Sequence, residues 1–207
     1  KKYRPIDKQL AKDLLNLPQD RQIILFGAIN ATGDPRKGFH LLMPALQKLK
    51  SYFTSDRIEL VVFGASQPRN PPDFGFKVSY QGKFNDDVSI ALLYSAADIF
   101  VASSVQDNLP NTVVEALACG TPCAAFQIGG MPDMINHKQN GYLATAYDPE
   151  DLAKGIAWIL ENPERWQRLS ICARAKVERE FTIERQAQTY LKLYKDILEK
   201  RNATKFK

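Results

Sequence analysis

What most constrains this chain of 207 residues is how short, uninterrupted apolar runs alternate with amphipathic stretches through its first two-thirds. QIILFG at 22–27, IELVVF at 58–63 and DIFVAS at 98–103 are rich in β-branched and aromatic residues and bounded by glycine or polar loops. A strand that is apolar on both faces belongs inside a parallel sheet, with helices above and below it. PCAAF at 122–126 and a weaker FKVSYQG at 76–82 bring the candidate strands to five. Between them, Phe39, Leu42, Met43, Leu46 and Leu49 fall on one helical face, and residues 87–96 and 112–119 read the same way. Strand and helix in alternation predict an α/β fold, a parallel sheet joined by right-handed crossovers.

After residue 148 the pattern turns purely helical. DPEDLAKGIAWILEN opens with Asp148 as N-cap and Pro149 in the first helical position, and NPERWQRLSICARAKVEREF repeats that start at Asn162 and Pro163. A last helix, TIERQAQTYLKLYKDILEK, carries Tyr190, Leu193, Tyr194, Ile197 and Leu198 as one stripe. So aromatic a stripe needs a surface to pack on, first the domain's own core, second a neighbouring domain. Trp158 and Trp166 sit at helical spacing and read as core. No repeat, low-complexity tract or Gly/Ser-rich linker divides the chain, so one domain is the simplest count.

No run approaches the roughly 18 consecutive apolar residues that span a bilayer, and KKYRPIDKQL lacks the apolar core of a signal peptide. A cytoplasmic location is expected. The net charge of +5 is held at the ends: residues 1–4 and 200–207 contain seven of the 28 Lys and Arg and no acid, leaving 21 bases against 23 acids between them. Basic ends on a slightly acidic body read as solubilising tails rather than as a nucleic-acid footprint, with peripheral contact to an anionic membrane as the lesser reading. Cys119, Cys123 and Cys172 match neither a redox pair nor a zinc half-site, and with only His40 and His137 beside them they read as buried, reduced thiols. The Asn30 and Asn202 sequons read as coincidence in a cytoplasmic chain.

In an open parallel sheet, ligands bind beyond the carboxyl ends of the strands. The loop after the first strand, GAINATGDPRKGFH, sets Gly27, Gly33 and Gly38 beside Arg36 and Lys37 at a helix start, which suits an anion such as phosphate. Taken alone it also fits a solvated basic turn. It matches neither G-x-G-x-x-G nor the P-loop, so dinucleotide and P-loop chemistry lose support. The loop after DIFVAS reads SVQDNLPNTVVEALACGTP. There Asp107 and Glu115 stand eight apart, with the backbone N–H groups of Asn111 and Thr112 at a helix start between them. Carboxylates accept hydroxyl hydrogen bonds, and helix-start amides suit a phosphate. A bare D-x7-E is a weak signal, and the surrounding N-L-P-N…E-A-x-x-x-G-x-P makes it specific.

DNLPNTVVEALACGTPCAAFQIGGMPDMI, followed by NGYL, resembles the E-x7-E region of the family 4 retaining glycosyltransferases, which have two facing Rossmann-like domains in the GT-B arrangement. RKGFHLL, VSYQGKF and LYSAADIFVASS are similar too, in the same order, from about residue 20 to 180. The resemblance implies that this chain is a single Rossmann-like donor-binding domain. Residues 1–20 would be linker and first helix, 21–148 the α/β core and 149–207 a helical extension, with the N-terminal acceptor-binding domain absent. In this family the last helix commonly crosses back to that domain.

Roles follow from the resemblance position by position. Glu115 corresponds to the glutamate that holds the nucleotide's ribose, Asp107 to the one that contacts the transferred sugar, and Lys37 to the lysine of the phosphate clamp. Asn111 and Thr112 correspond to the amides that meet the diphosphate, with Asn108 and Leu109 completing the loop. Lys83 and Phe84 stand where the backbone frames the base. Three departures mark this chain: an aspartate at 107, Ala28 where an arginine is expected, with Arg36 as a possible substitute, and Pro110 where relatives carry glycine. The implied chemistry is retaining transfer from a UDP- or GDP-sugar without metal or cofactor, there being no D-x-D. The implied setting is polysaccharide, lipopolysaccharide or glycolipid synthesis at the inner face of a membrane. A degenerate interaction module, or another Rossmann-like nucleotide-binding enzyme, is the alternative.

Overall fold

The computed structural model describes residues 2–27 and 34–205. Ala28, Gly33 and the Asn30 sequon lie outside the described residues. Six parallel strands form one sheet: β1 (Gln22–Gly27), β2 (Ile58–Phe63), β3 (Lys77–Tyr80), β4 (Ile99–Ala102), β5 (Cys123–Phe126) and β6 (Gly141–Ala144). Their order is β3-β2-β1-β4-β5-β6, so the chain runs outward from β1 to one edge, returns to the other side of β1, and runs outward again. The reversal leaves a crevice between β1 and β4, a switch point of the kind where ligands enter such sheets.

Among the described residues, eight α-helices accompany the sheet: α1 (Lys8–Leu14), α2 (Phe39–Leu49), α3 (Asp87–Ala96), α4 (Asn111–Ala118), α5 (Met131–Met134), α6 (Pro149–Leu160), α7 (Pro163–Glu180) and α8 (Ile183–Lys205). Each central strand divides its side chains between two cores. Ile23, Leu25, Val61, Phe63 and Phe100 face the layer of α1, α3, α4 and part of α7. Ile24, Phe26, Leu60, Val62, Ile99 and Val101 face α2 and α6. Both faces are covered, so the runs show no regular polar alternation. Asp148 accepts from the N–H groups of Glu150 and Asp151 to start α6, and Asn162 accepts from Arg165 to start α7, each with proline next.

Asp98 fastens the end of the sheet opposite the crevice. Its carboxylate accepts from the Ile23 N–H at 2.7 Å and from Lys8 Nζ at 2.6 Å, and its carbonyl accepts from Trp166 Nε1 at 2.6 Å. Lys8 also lies over the Trp166 ring, 3.6 Å from its centroid. One residue thereby joins α1, β1, β4 and α7.

Three expectations need correction. The sheet has a sixth strand, β6, which escapes a search for apolar runs because it is four residues long, begins at a glycine and leaves Tyr142 and Leu143 only half buried. The α8 stripe does not pack on the domain's own core: Tyr190, Leu193, Tyr194, Ile197 and Leu198 are between 48% and 58% exposed. Cys119 and Cys123 are buried, but Cys172 lies on the outer face of α7 and is exposed. Trp158 and Trp166 do pack against the core, as partly buried residues.

Replacing Asp98 by alanine strands a buried amide and frees Lys8 and its cation–π contact. Asp98→Ala should lower the unfolding free energy by about 2–4 kcal/mol in a urea titration. A loss under about 0.5 kcal/mol would show that the four elements hold together without it.

Candidate functional site

The loops at the carboxyl ends of β1, β4 and β5 meet over the crevice, and the contacts that bring them together are made largely by backbone. After β1, a one-turn 3-10 helix at Pro35–Lys37 ends at Gly38, whose φ of 68° lies in the left-handed region. A methyl group there would lie 1.8 Å from the Ser103 carbonyl oxygen, so only glycine lets this loop rest on the end of β4. The Val105 N–H donates to the Arg36 carbonyl at 2.8 Å, and Ser103 Oγ donates to the Lys37 carbonyl at 2.9 Å. On the other side, Gly130 N–H donates to the Asp107 carbonyl, and a methyl group on Gly130 would lie 1.5 Å from the Asn108 carbonyl oxygen. The 105–109 loop is thus held between two glycine turns.

This packing brings Lys37 and Asp107 together across 70 residues of sequence, with Nζ donating to Oδ2 at 2.9 Å. Arg36, Lys37, Gln106, Asp107 and Asn108 line a hollow of about 280 Å³. Beside it, Lys37 also lines a narrow cleft with Gly27, Ser103, Ser104, Pro110 and Thr112, which runs from the switch point to the start of α4. No side chain caps α4, so the first N–H groups, those of Asn111 and Thr112, lack a capping acceptor. A lysine, an uncapped helix start and a carboxylate therefore border one crevice, an arrangement that can take an anion flanked by hydroxyls.

Other residues named from the sequence stand apart from this crevice or are already engaged. Arg36 reaches the hollow, but Asp34 binds its guanidinium through two hydrogen bonds of 3.1 and 2.8 Å, and Arg36 in turn holds the Asp34 carboxyl below the usual carboxylate range. Leu109 and Asn111 line a separate groove of about 400 Å³ against the start of α8, so Asn111 can offer the crevice only its backbone. Lys83 is exposed, Phe84 packs partly into the core, and a side chain on the adjoining Gly82 would meet nothing within 4 Å, which leaves open backbone beyond β3. Glu115 is half-buried one turn into α4 and accepts from Tyr94 Oη at 3.2 Å. Burial pushes its pKa up, and the tyrosine hydroxyl partly offsets this.

Sequence reasoning missed Tyr94 and the Gly129–Gly130 clamp as parts of the site. Both lie inside motifs that were legible as resemblance, LYSAAD and GGMPD, without a physical reason for either. Tyr142 lies against α6: its hydroxyl donates to Asp151 at 3.0 Å and its ring makes tilted contacts with those of His137 and Trp158. His137 Nδ1 accepts from the Leu143 N–H, so it braces the turn before β6. Among the described residues, no three His, Cys, Asp or Glu side chains gather as they would round a metal ion, and no helix is long and apolar enough to cross a membrane.

A parallel α/β domain with a cation, a free helix start and a carboxylate at its switch point, and a second carboxylate one turn along that helix, has the form of a domain that binds an anionic ligand there. Comparison with known proteins assigns it: residues 20–162 match the family Glycosyl transferases group 1, and the chain belongs to that family. It is 30% identical over 178 residues to D-inositol 3-phosphate glycosyltransferase 2 of Catenulispora acidiphila, covering 79% of this chain and 41% of that protein. Its fold is similar to sucrose-phosphate synthase from Thermosynechococcus elongatus, with a TM-score of 0.79, 27% identity, and coverage of 96% of this chain and 50% of that one. It shares the fold of an Anabaena protein crystallised with UDP-glucose, at TM-score 0.70 and 19% identity, over 93% of this chain and 56% of that one. The chain spans less than half the length of the curated relatives it matches.

The geometry predicts that Gly38→Ala lowers stability by about 2 kcal/mol or more in chemical denaturation, because it combines a left-handed backbone with a clash against Ser103. A neutral result would mean that the β1 loop is not seated on β4.

Proposed function

We propose that this chain is the donor-binding domain of a retaining glycosyltransferase, which moves a sugar from a UDP- or GDP-sugar to a saccharide or lipid-linked acceptor held by a second, N-terminal domain. The observation that carries the reading is the convergence of Lys37 and Asp107 beside the uncapped start of α4, with Glu115 on that same helix. A nucleotide diphosphate lying along α4 would meet Lys37 and the Asn111 and Thr112 amides with its phosphates. Its ribose hydroxyls would reach Glu115, and its sugar would lie by Asp107. The base would rest on the open backbone near Gly82, Lys83 and Phe84.

In this reading the acceptor hydroxyl attacks the anomeric carbon on the face from which the diphosphate departs, so configuration is retained. The transition state resembles an oxocarbenium ion, and negative charge grows on the leaving diphosphate. Lys37 and the positive end of α4 stand where that charge develops, a preorganised electrostatic stabilisation that calls for no divalent cation. With the acceptor wall supplied by that second domain, these residues on their own should bind donor while transferring almost nothing. The membership of the family and the UDP-glucose held by its Anabaena fold neighbour support the donor class. Synthesis of cell-surface polysaccharide or glycolipid at the inner face of a membrane is the setting we favour.

Two substitutions test the assignment by calorimetry with UDP, GDP and ADP. Glu115→Ala should weaken whichever nucleotide binds by about 10-fold or more, the scale of hydrogen bonds to a charged group; an unchanged affinity would remove Glu115 from the ribose. Asp107→Asn releases Lys37 from its ion pair. It should tighten the free nucleoside diphosphate about 3-fold or more while slowing transfer by a full-length enzyme. Weaker diphosphate binding would place Asp107 on the nucleotide instead of the sugar.

A further inference from the structure

Glu115 is fixed from outside the crevice by a segment that sequence reasoning treats as linker. Tyr94, on α3, is fully buried, and its hydroxyl donates to Glu115. Its ring is held edge-on by Phe63, by Phe100 and by Tyr3, the last at a centroid distance of 6.5 Å. Tyr3 precedes α1, and its hydroxyl donates to Asp87 at 3.0 Å.

The backbone around Tyr3 is tied down residue by residue. Lys2 pairs with Asp87 at 2.7 Å, and the Ile6 N–H donates to Ser95 Oγ at 3.2 Å. Arg174 of α7 donates from one nitrogen to the carbonyls of both Tyr3 and Ala118, and Ala118 is the last residue of α4. The segment 2–6 therefore grips α3 directly and the end of α4 through Arg174. Glu115 lies between these anchors.

Among the described residues Glu115 has no ion pair with a cation, so its charge depends on hydroxyl donors. We propose that Tyr3 is a positioning residue for Glu115: together with Tyr94 and Asp87 it fixes the carboxylate that takes the ribose hydroxyls, and so couples nucleotide binding to the segment leading into α1. The ribose role rests on the function proposed above; the control of Glu115 by Tyr3 rests on its ring contact with Tyr94 and on its hydroxyl's interaction with the carboxylate.

The electrostatics agree with the geometry. Burial raises the Glu115 pKa, the Tyr94 and Tyr3 hydroxyls lower it, and the Asp87 charge raises it. Burial also raises both tyrosine pKa values, which keeps them protonated and donating at neutral pH. Cys119 also faces the cluster; burial pushes its thiol up to about 12, so it is neutral there.

Tyr3→Phe removes one hydroxyl and leaves the ring contact with Tyr94. Two measurements on the 207-residue chain read the result. The first is the titration midpoint of the Glu115 side-chain carboxyl, followed by carbon-13 NMR and assigned with Glu115→Gln. The second is the ratio of affinities for UDP, GDP or ADP and their 2′,3′-dideoxy forms. The substitution should raise the Glu115 midpoint and shrink the preference for the intact ribose by about 3-fold to 10-fold, while dideoxy binding and the unfolding midpoint stay near those of the parent.

An unmoved Glu115 midpoint, with ribose preference intact, overturns the proposal and leaves the donor assignment standing. A parent chain that does not prefer the intact ribose overturns the donor role of Glu115 and, with it, the coupling. A fall in all affinities together, with a lower unfolding midpoint, would mark Tyr3 as mere packing and overturn the proposal as well.

Discussion

The site depends on a backbone contact that no side chain supplies. The turn at Gly38 lies so close to the Ser103 carbonyl that there is no room for even a single methyl group. Gly129 and Gly130 press in the same way on Asp107 and Asn108 from the β5 side. These three loops leave strands that are neighbours in the sheet but far apart in sequence. Once they are seated, Lys37 and Asp107 have little choice but to meet. The chemistry of the crevice follows from close approach at its floor, which is why its glycines matter as much as its charges.

The other end of the sheet obeys a complementary logic. There the chain uses charge and hydrogen bonds. Asp98 collects a backbone amide, a lysine and an indole through its own chain neighbour β4, and the lysine stacks on that indole. A carboxylate that is partly buried is worth keeping only if its lone pairs are filled, and these are. A rigid end opposite a loop-built end lets the crevice be shaped by turns without loosening the sheet. The basic excess of the sequence belongs to neither end: among the described residues, the terminal bases lie on the segment before α1 and at the tip of α8.

Much of this was legible in advance. Three of the strands announce themselves as mostly apolar runs, and the structure explains why: consecutive residues such as Ile23 and Ile24 enter opposite cores, and the charge inside β2, Glu59, is buried against Ser79 and Arg21. The starts of α6 and α7 are written in Asp148-Pro149 and Asn162-Pro163. What was hidden has a physical reason in each case. Strand β6 is too short and too exposed to carry a pattern, and it exists because β5 offers it an edge. The α8 stripe has helical periodicity but no core beneath it, and periodicity cannot say which body will cover a face. Of the site, the charges at 37, 107 and 115 were readable as types at suggestive spacing. The tyrosines behind Glu115 were not, because a buried aromatic in a helix looks like core until its hydroxyl is seen to have a partner.

The aspartate at position 107 acquires a sense from its ion pair that the sequence alone does not supply. Lys37 is the cation of the crevice, and in the absence of an anionic ligand it would face its own positive helix start across a partly closed space. Asp107 answers that charge at 2.9 Å, with the two side chains 27% and 17% exposed. The pair is partly buried, so breaking it without a replacement partner would be costly, and on the proposed reading an arriving diphosphate supplies that replacement for Lys37. On the proposed reading, the exchange would free the carboxylate at the moment the donor's sugar arrives beside it. The shorter side chain then matters for reach in two directions, toward Lys37 when the crevice is empty and toward a sugar hydroxyl when it is filled. A glutamate at the same place would carry its carboxylate one methylene farther into the hollow, and the balance between those two partners would shift.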